Sequence, residues 1–235
     1  MKINVKGPIV PSSNSWIYKW LGIEATSPQD VNKILDDLDG EDVEVEINSG
    51  GGSVFAGSEI YTALKSYKGN VTVKIVGIAA SAASVIAMAG NKVMMSPTGQ
   101  MMIHNSSVSV TGDYRQMDNT SKFLKNVNKT IANAYKIKTG IKEEELLSLM
   151  DNETWMTPEM AKENKFIDEI MFEKEFDAVA SFDNSAMIPQ QVIDKLKEVL
   201  AEQKSKEQKT EIEDNSKNLE VTNKLKELDL ILKLR

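Results

Sequence analysis

The chain has 235 residues, no cysteine and a single histidine. Without cysteine there are no disulfides, no thiolate metal sites and no cysteine nucleophile. With one histidine as well, a structural zinc site lacks its usual ligands, and no metal or other cofactor is expected. Any chemistry that needs a neutral imidazole has only His104 to use. The formal net charge of -7 argues against a general nucleic-acid binder, which is ordinarily basic. No apolar core of a secretory signal opens the sequence. The longest uncharged apolar stretch, 75–90, is 16 residues rich in Ala, Gly and Ser. A membrane span needs about 20 mostly larger apolar residues. A cytoplasmic protein that binds neither nucleic acid nor membrane is therefore expected.

Hydrophobic residues make up 41% of the chain, enough for a core. Residues 1–10 read as a short strand ending at a Gly-Pro turn. Ser27-Pro28 opens a helix as N-cap and first-turn proline, with Val31, Ile34, Leu35 and Leu38 as its apolar stripe. Val43-Glu44-Val45-Glu46-Ile47 alternates as a half-exposed strand does. A glycine loop, Gly50-Gly51-Gly52, follows, then a helix over 54–67, a strand over 71–76 and a helix over 81–89. Short strands are expected at 92–95 and 101–103. A long helix spans 114–138, with Met117, Phe123, Leu124, Val127, Ile131, Ala134 and Tyr135 at roughly helical spacing. Shorter helices follow at 143–150 and from Thr157-Pro158 to Asn164, and 166–170 closes the regular part. Strands alternating with helices predict an α/β fold with largely parallel pairing. The composition then turns polar. The chain divides into a domain over 1–184 and a helical tail over 185–235, in which 189–203 and 221–234 are amphipathic and 203–219 is almost wholly polar.

Ser81 lies where the strand hands over to a helix. A serine hydroxyl becomes a nucleophile when a base takes its proton, and imidazole suits that task near neutral pH. Its ordinary role there would be a helix cap. Ser84, one turn on, is placed to back-bond to a carbonyl. His104 ends an apolar strand, where catalysis gathers in α/β proteins, although a lone histidine there is more often a half-buried structural side chain. The glycine loop has neither the Gly-Lys-Ser/Thr of a phosphate loop nor dinucleotide spacing. It reads as a turn, or as backbone held open so that an amide, that of Gly52, faces an oxyanion. The Ala82 amide would be its partner. Asp151 and Glu153 are both candidates to orient the imidazole, or are solvent-facing acids.

Together these segments resemble the ClpP family, the proteolytic subunit of the Clp protease, over residues 43–170. Asn48-Ser49-Gly50-Gly51-Gly52 with Ala56-Gly57 is similar to the family's Asn-Ser-Pro-Gly-Gly and Ala-Gly segment, with Gly50 in place of proline. Gly77-Ile78-Ala79-Ala80-Ser81-Ala82 looks like its nucleophile segment, Met101-Met102-Ile103-His104-Asn105 like its base segment, and 152–168 like its acid segment. The resemblance implies a ClpP/crotonase-like spiral of ββα units with a helical C-terminal extension. It places Ser81 on the nucleophile, His104 on the general base, Glu153 on the triad acid, and Gly52 and Ala82 on the oxyanion donors. The family usually has aspartate at the acid position, so Asp151 stays in reserve. A substrate strand is expected along 51–54 and 106–110, touching Gly51, Ser53, Val54, Ser107 and Val108. The resemblance further implies polypeptide substrates and a heptameric, often stacked, ring in which the long helix is the stacking element. The family's pore-lining N-terminal segment, which docks an ATPase ring, is not recognisable, so an unfoldase partner is not expected. These departures look like the ClpP-related head-maturation proteases of phages and prophages, which trim capsid and scaffold proteins. The alternatives are a Clp-type ATP-dependent protease subunit, a crotonase-fold acyl-CoA enzyme and an inactive assembly factor.

Overall fold

The computed structural model describes residues 1–173, together with Asp194 and Lys197. The chain divides into two units, Met1–Glu175 and Phe176–Arg235. Apart from Asp194 and Lys197, the expected tail with its two amphipathic stretches lies outside the described residues.

The elements run β1 (Lys2–Lys6), α1 (Ser15–Trp20), α2 (Pro28–Asp37), β2 (Val43–Ser49), α3 (Val54–Ser66), β3 (Val71–Ala80), α4 (Ala82–Ala87), β4 (Lys92–Met95), β5 (Gln100–Ile103), α5 (Tyr114–Thr139), α6 (Glu143–Asp151), β6 (Thr154–Met156), α7 (Pro158–Glu163) and β7 (Glu169–Ile170). They form a mixed α/β fold, with helices packed on a largely parallel sheet. One path of the sheet is ordered β1-β2-β3-β4-β7, all parallel. β5 adds to β3 in parallel and carries β6 antiparallel on its other side.

Alternation decides what β2 buries. Val43, Val45 and Ile47 point into the core, and each buried aliphatic side chain of this size contributes roughly 1.5–3 kcal/mol. Glu44 and Glu46 take the other face and pair with Lys74 and Lys2, contacts that at this exposure are worth about 0–1 kcal/mol each. α2 starts as its sequence requires: Ser27 Oγ accepts from the Asp30 amide, with Pro28 in the first turn.

Four features depart from the sequence expectation. α1 has no strong periodic signal and exposes Trp16 and Trp20. β3 runs to Ala80 rather than ending at 76, because its second half finds a new neighbour in β5. β6 is three residues long, below what alternation can reveal, and forms because β5 offers an open edge. The long helix buries only its second half, at Ile131, Ala132, Ala134, Tyr135 and Thr139, whereas Met117 and Phe123 are exposed. A capping box between Asp113 and Gln116 starts this helix and Gly140, with φ 75°, ends it. No helix among the described residues is long and apolar enough to cross a membrane.

Candidate active site

β3 and β5 bring the two chief candidates together. Their parallel register pairs Ala80 with Met102, and the Ser81 amide donates to the Met102 carbonyl at 3.0 Å. Ser81 and His104 therefore leave the C-terminal ends of neighbouring strands on the same side. Ser81 Oγ lies 2.8 Å from His104 Nε2. With the ring proton on Nδ1, the hydroxyl donates to Nε2, the arrangement a general base requires. Both residues are half-buried, close to solvent yet held in place.

Ser81 stands at the start of α4, but its side chain makes no capping hydrogen bond, so the capping role is not the one it takes. Its backbone is at φ 55°, ψ -125°, a conformation that costs a non-glycine residue of order 1–3 kcal/mol and is found where a turn must present a side chain. Ser84 locks this turn from behind. Its Oγ donates to the Ser81 carbonyl at 2.6 Å and lies 2.8 Å from the hydroxyl of buried Tyr135. Burial holds the Tyr135 phenol well above its ordinary pKa, the Ser84 contact acting weakly in the opposite sense.

The glycine loop is set against this turn by a chain of bonds. β2 shifts register between Ile47 and Ser49, and Asn48 Oδ1 fills the gap by accepting from the Ile78 amide at 3.2 Å. Gly77 lies so close that a Cβ there would collide with Asn48 Oδ1. Buried Ser49 donates to the Gly7 carbonyl at 2.6 Å and accepts from the Gly51 amide at 3.1 Å. Gly51 has φ 97°, and a Cβ on it would lie 2.7 Å from both Ala80 O and Ser81 Cβ. Only glycine permits that approach. Within the loop the Gly51 amide and carbonyl are both used internally, by Ser49 and by the Ile9 amide. The Gly52 and Ala82 amides have no acceptor among the described residues.

The acids are placed differently from the expectation. The β5–β6 ladder ends at the Ile103–Thr154 pair, so His104 and Glu153 are the residues that adjoin its end on the two strands. Yet the Glu153 carboxylate accepts from Trp155 Nε1 at 3.3 Å and does not reach the imidazole. Its φ of 46° turns the backbone there. Asp151 is engaged too, accepting from Asn105 Nδ2 at 2.6 Å. His104 thus has no carboxylate partner among the described residues.

The substrate edges also differ in part. Ser53 caps α3 by accepting from the Ala56 amide, its own amide donates to the Ile9 carbonyl, and Val54 is the first helical residue. Helix initiation has removed both from any open edge, and Gly51 is closed by its internal bonds. Ser107 and Val108 lie in the irregular segment 104–113, which is exposed from Ser107 onward, and the alternation of 108–110 forms no strand because no chain among the described residues runs beside it. Sequence reasoning quoted Asn105 in the base segment without giving it a task, and overlooked Asn128, which binds Ser106 just after His104 and which no motif marks. Among the described residues no three His, Cys, Asp or Glu side chains gather as metal ligands.

Comparison with known proteins gives one consistent picture. A family model described as Clp protease matches residues 28–174, well over half of the chain. The ATP-dependent Clp protease proteolytic subunit of Bacteroides fragilis is 33% identical over 143 residues, 60% of this chain and 69% of that one. The corresponding subunit of Deinococcus radiodurans is 32% identical over 133 residues, 56% and 65% of the two chains. Among solved structures, a ClpP1 point mutant from Listeria monocytogenes superposes with a TM-score of 0.61 at 24% identity, covering 74% of this chain and 92% of that one. At that identity the superposition speaks for the fold, and the family match carries the kinship: the chain belongs to the Clp protease family and is a serine peptidase of that family.

Proposed function

We propose that Ser81 is the nucleophile and His104 the general base of a serine endopeptidase. The observation that carries this reading is the 2.8 Å contact between Ser81 Oγ and His104 Nε2 at the ends of β3 and β5. His104 takes the hydroxyl proton as Oγ attacks a peptide carbonyl. The tetrahedral oxyanion is held by the Gly52 and Ala82 amides, which have no acceptor among the described residues. Losing one such donor typically costs about 3 kcal/mol of transition-state stabilisation. His104 then protonates the leaving amine, the C–N bond breaks, and water resolves the acyl-enzyme through the same base. Glu153 orients the imidazole once its side chain turns from Trp155, and Ser107 and Val108 offer free backbone to an extended substrate. The polypeptide passes in a homo-oligomeric ring, heptameric by analogy with the family, in which the exposed half of α5 contacts a second ring.

The narrower reading is a phage or prophage head-maturation protease acting on capsid or scaffold proteins. Its supports are Glu153 at the family's aspartate position and the polar extension beyond residue 184. A second reading, a proteolytic subunit fed by an ATPase, is favoured by the relatives from Bacteroides fragilis and Deinococcus radiodurans, both ATP-dependent Clp protease proteolytic subunits.

Labelling by a fluorophosphonate tests the chemistry. The wild-type chain should label and Ser81→Ala should not; equal labelling of both ends the proposal. Cleavage of capsid or scaffold protein without nucleotide favours head maturation. Casein degradation that requires an unfoldase and ATP favours the second reading.

A further inference from the structure

His104 is where β5 runs out, and no regular element follows until α5 begins at Tyr114. A base that must hold its ring against a hydroxyl needs that corner fixed, since displacement of a reacting group by ~1 Å can cost ~10²-fold in rate. Two side chains from other elements fasten it. Asn128, half-buried on α5, accepts with Oδ1 from the Ser106 amide at 2.8 Å and from Ser106 Oγ at 2.7 Å. A backbone amide can only donate, so chemistry fixes which end of the Asn128 side chain faces Ser106. The other fastening is the Asp151 bond to Asn105 Nδ2. It holds one end of that amide only, for Asn105 Oδ1 is buried without a partner among the described residues. One acceptor, Asn128 Oδ1, therefore satisfies both donors of Ser106, two residues past the imidazole.

We propose that Asn128 is a positioning residue for His104. By gripping Ser106 it fixes the backbone that carries the imidazole against α5 and keeps Nε2 in line with Ser81. The proposal rests on reading Ser81 and His104 as the reacting pair.

The test uses the full chain and five variants: Asn128→Ala, Asn128→Asp, Ser106→Ala, the double variant Ser106→Ala/Asn128→Ala and the control Ser81→Ala. The readouts are the rate of fluorophosphonate labelling, kcat and KM on a peptide substrate, and the thermal midpoint. Asn128→Ala, which loses two hydrogen bonds, should slow labelling and lower kcat about tenfold with KM unchanged. Ser106→Ala, which loses one, should lower them about threefold. Asn128→Asp keeps the acceptor and should recover most of the rate. The double variant Ser106→Ala/Asn128→Ala should be no slower than Asn128→Ala, because both act through one contact. Wild-type labelling by Asn128→Ala, or an Asn128→Asp as slow as Asn128→Ala, overturns the proposal. If Asn128→Ala does not fold, Ser106→Ala decides, and unchanged labelling and kcat in that variant overturn it. A wild-type chain that does not label, or a Ser81→Ala that does, removes the catalytic reading and this one with it. A normal wild-type chain beside an indifferent Asn128→Ala removes this one alone.

Discussion

The Glu153 carboxylate accepts its hydrogen bond from Trp155, two residues along the same chain, at 3.3 Å, although the β5–β6 ladder ends just short of both Glu153 and His104. On the proposed assignment of Glu153 as the orienting acid, the indole competes with the imidazole for this carboxylate. Trp155→Phe removes the competing donor and is expected to leave kcat unchanged or raise it by up to about threefold, the worth of a weak exposed hydrogen bond. Glu153→Ala should lower kcat by about 10²-fold or more, as loss of the orienting acid does elsewhere. Asp151→Ala, which frees only Asn105, should cost a few-fold at most. Peptide hydrolysis by the three variants checks this, and a Glu153→Ala at full speed would give the orienting task to another group.

Gly51 admits no side chain. Gly51→Ala would drive a methyl to 2.7 Å from Ala80 O and Ser81 Cβ at a φ of 97°, a backbone strain of about 1–3 kcal/mol before any clash is counted. The turn that carries the hydroxyl must move to relieve it. The expected result is a thermal midpoint lowered by several degrees and fluorophosphonate labelling reduced at least tenfold in the protein that remains folded. Labelling at the wild-type rate would show that the loop and the turn are not in register.

Tyr135 supplies a pH dependence. Burial raises its phenol above the ordinary value, with the Ser84 bond opposing. A folded-state pKa above the unfolded one means that the stabilisation is complete below the unfolded value of about 10 and is lost as pH rises past it. Thermal midpoints should therefore fall on alkaline titration above about pH 10. Tyr135→Phe should cost about 1 kcal/mol at neutral pH, since Ser84 keeps its bond to the Ser81 carbonyl, and its alkaline fall should be shallower. The lysines are common to both proteins, so the difference between the two curves isolates the phenol. Parallel curves would contradict this assignment.

Asp168, just before β7, ties β4 to α5. Its Oδ2 accepts from the Val93 amide at 2.7 Å and from Lys138 Nζ at 2.6 Å, and the Lys138 side chain is only 11% exposed. Asp168→Ala strands a nearly buried ammonium and should destabilise the fold by about 2–3 kcal/mol. Lys138→Met keeps the packing, removes the charge and should cost less. Urea midpoints for the two variants test the order, and a reversed order would mean that the carboxylate rather than the ammonium is the group left unsatisfied.

Most of the fold was legible because each signal was local. Ser27-Pro28 and Thr157-Pro158 announced α2 and α7, and Gly140 announced the end of α5. Ser81 and His104 were each placed at a strand end, and their pairing was implied by the family resemblance; the parallel pairing of β3 with β5 delivers both to one side. What stayed hidden depended on partners distant in sequence. β6 exists only because β5 has a free edge. The choice of Glu153 between His104 and Trp155 is a side-chain rotation that no spacing encodes. Asn128 and Ser106 lie 22 residues apart with nothing in either neighbourhood to mark the bond between them. Val108 and Val110 carried the alternation of a strand, but with no chain beside them the pattern had nothing to pair with.

β3 exchanges one neighbour for another along its length, holding β4 at Thr72–Ile75 and β5 at Ile78–Ala80. The interval between those grips cannot change in length over evolutionary time. One inserted residue after Ile75 would leave the first half of the strand untouched and turn the hydroxyl of residue 81 to the opposite face of the sheet. Among descendants of this gene, a length change confined to residues 76–80 would therefore mark lineages that keep the scaffold and have given up hydrolysis.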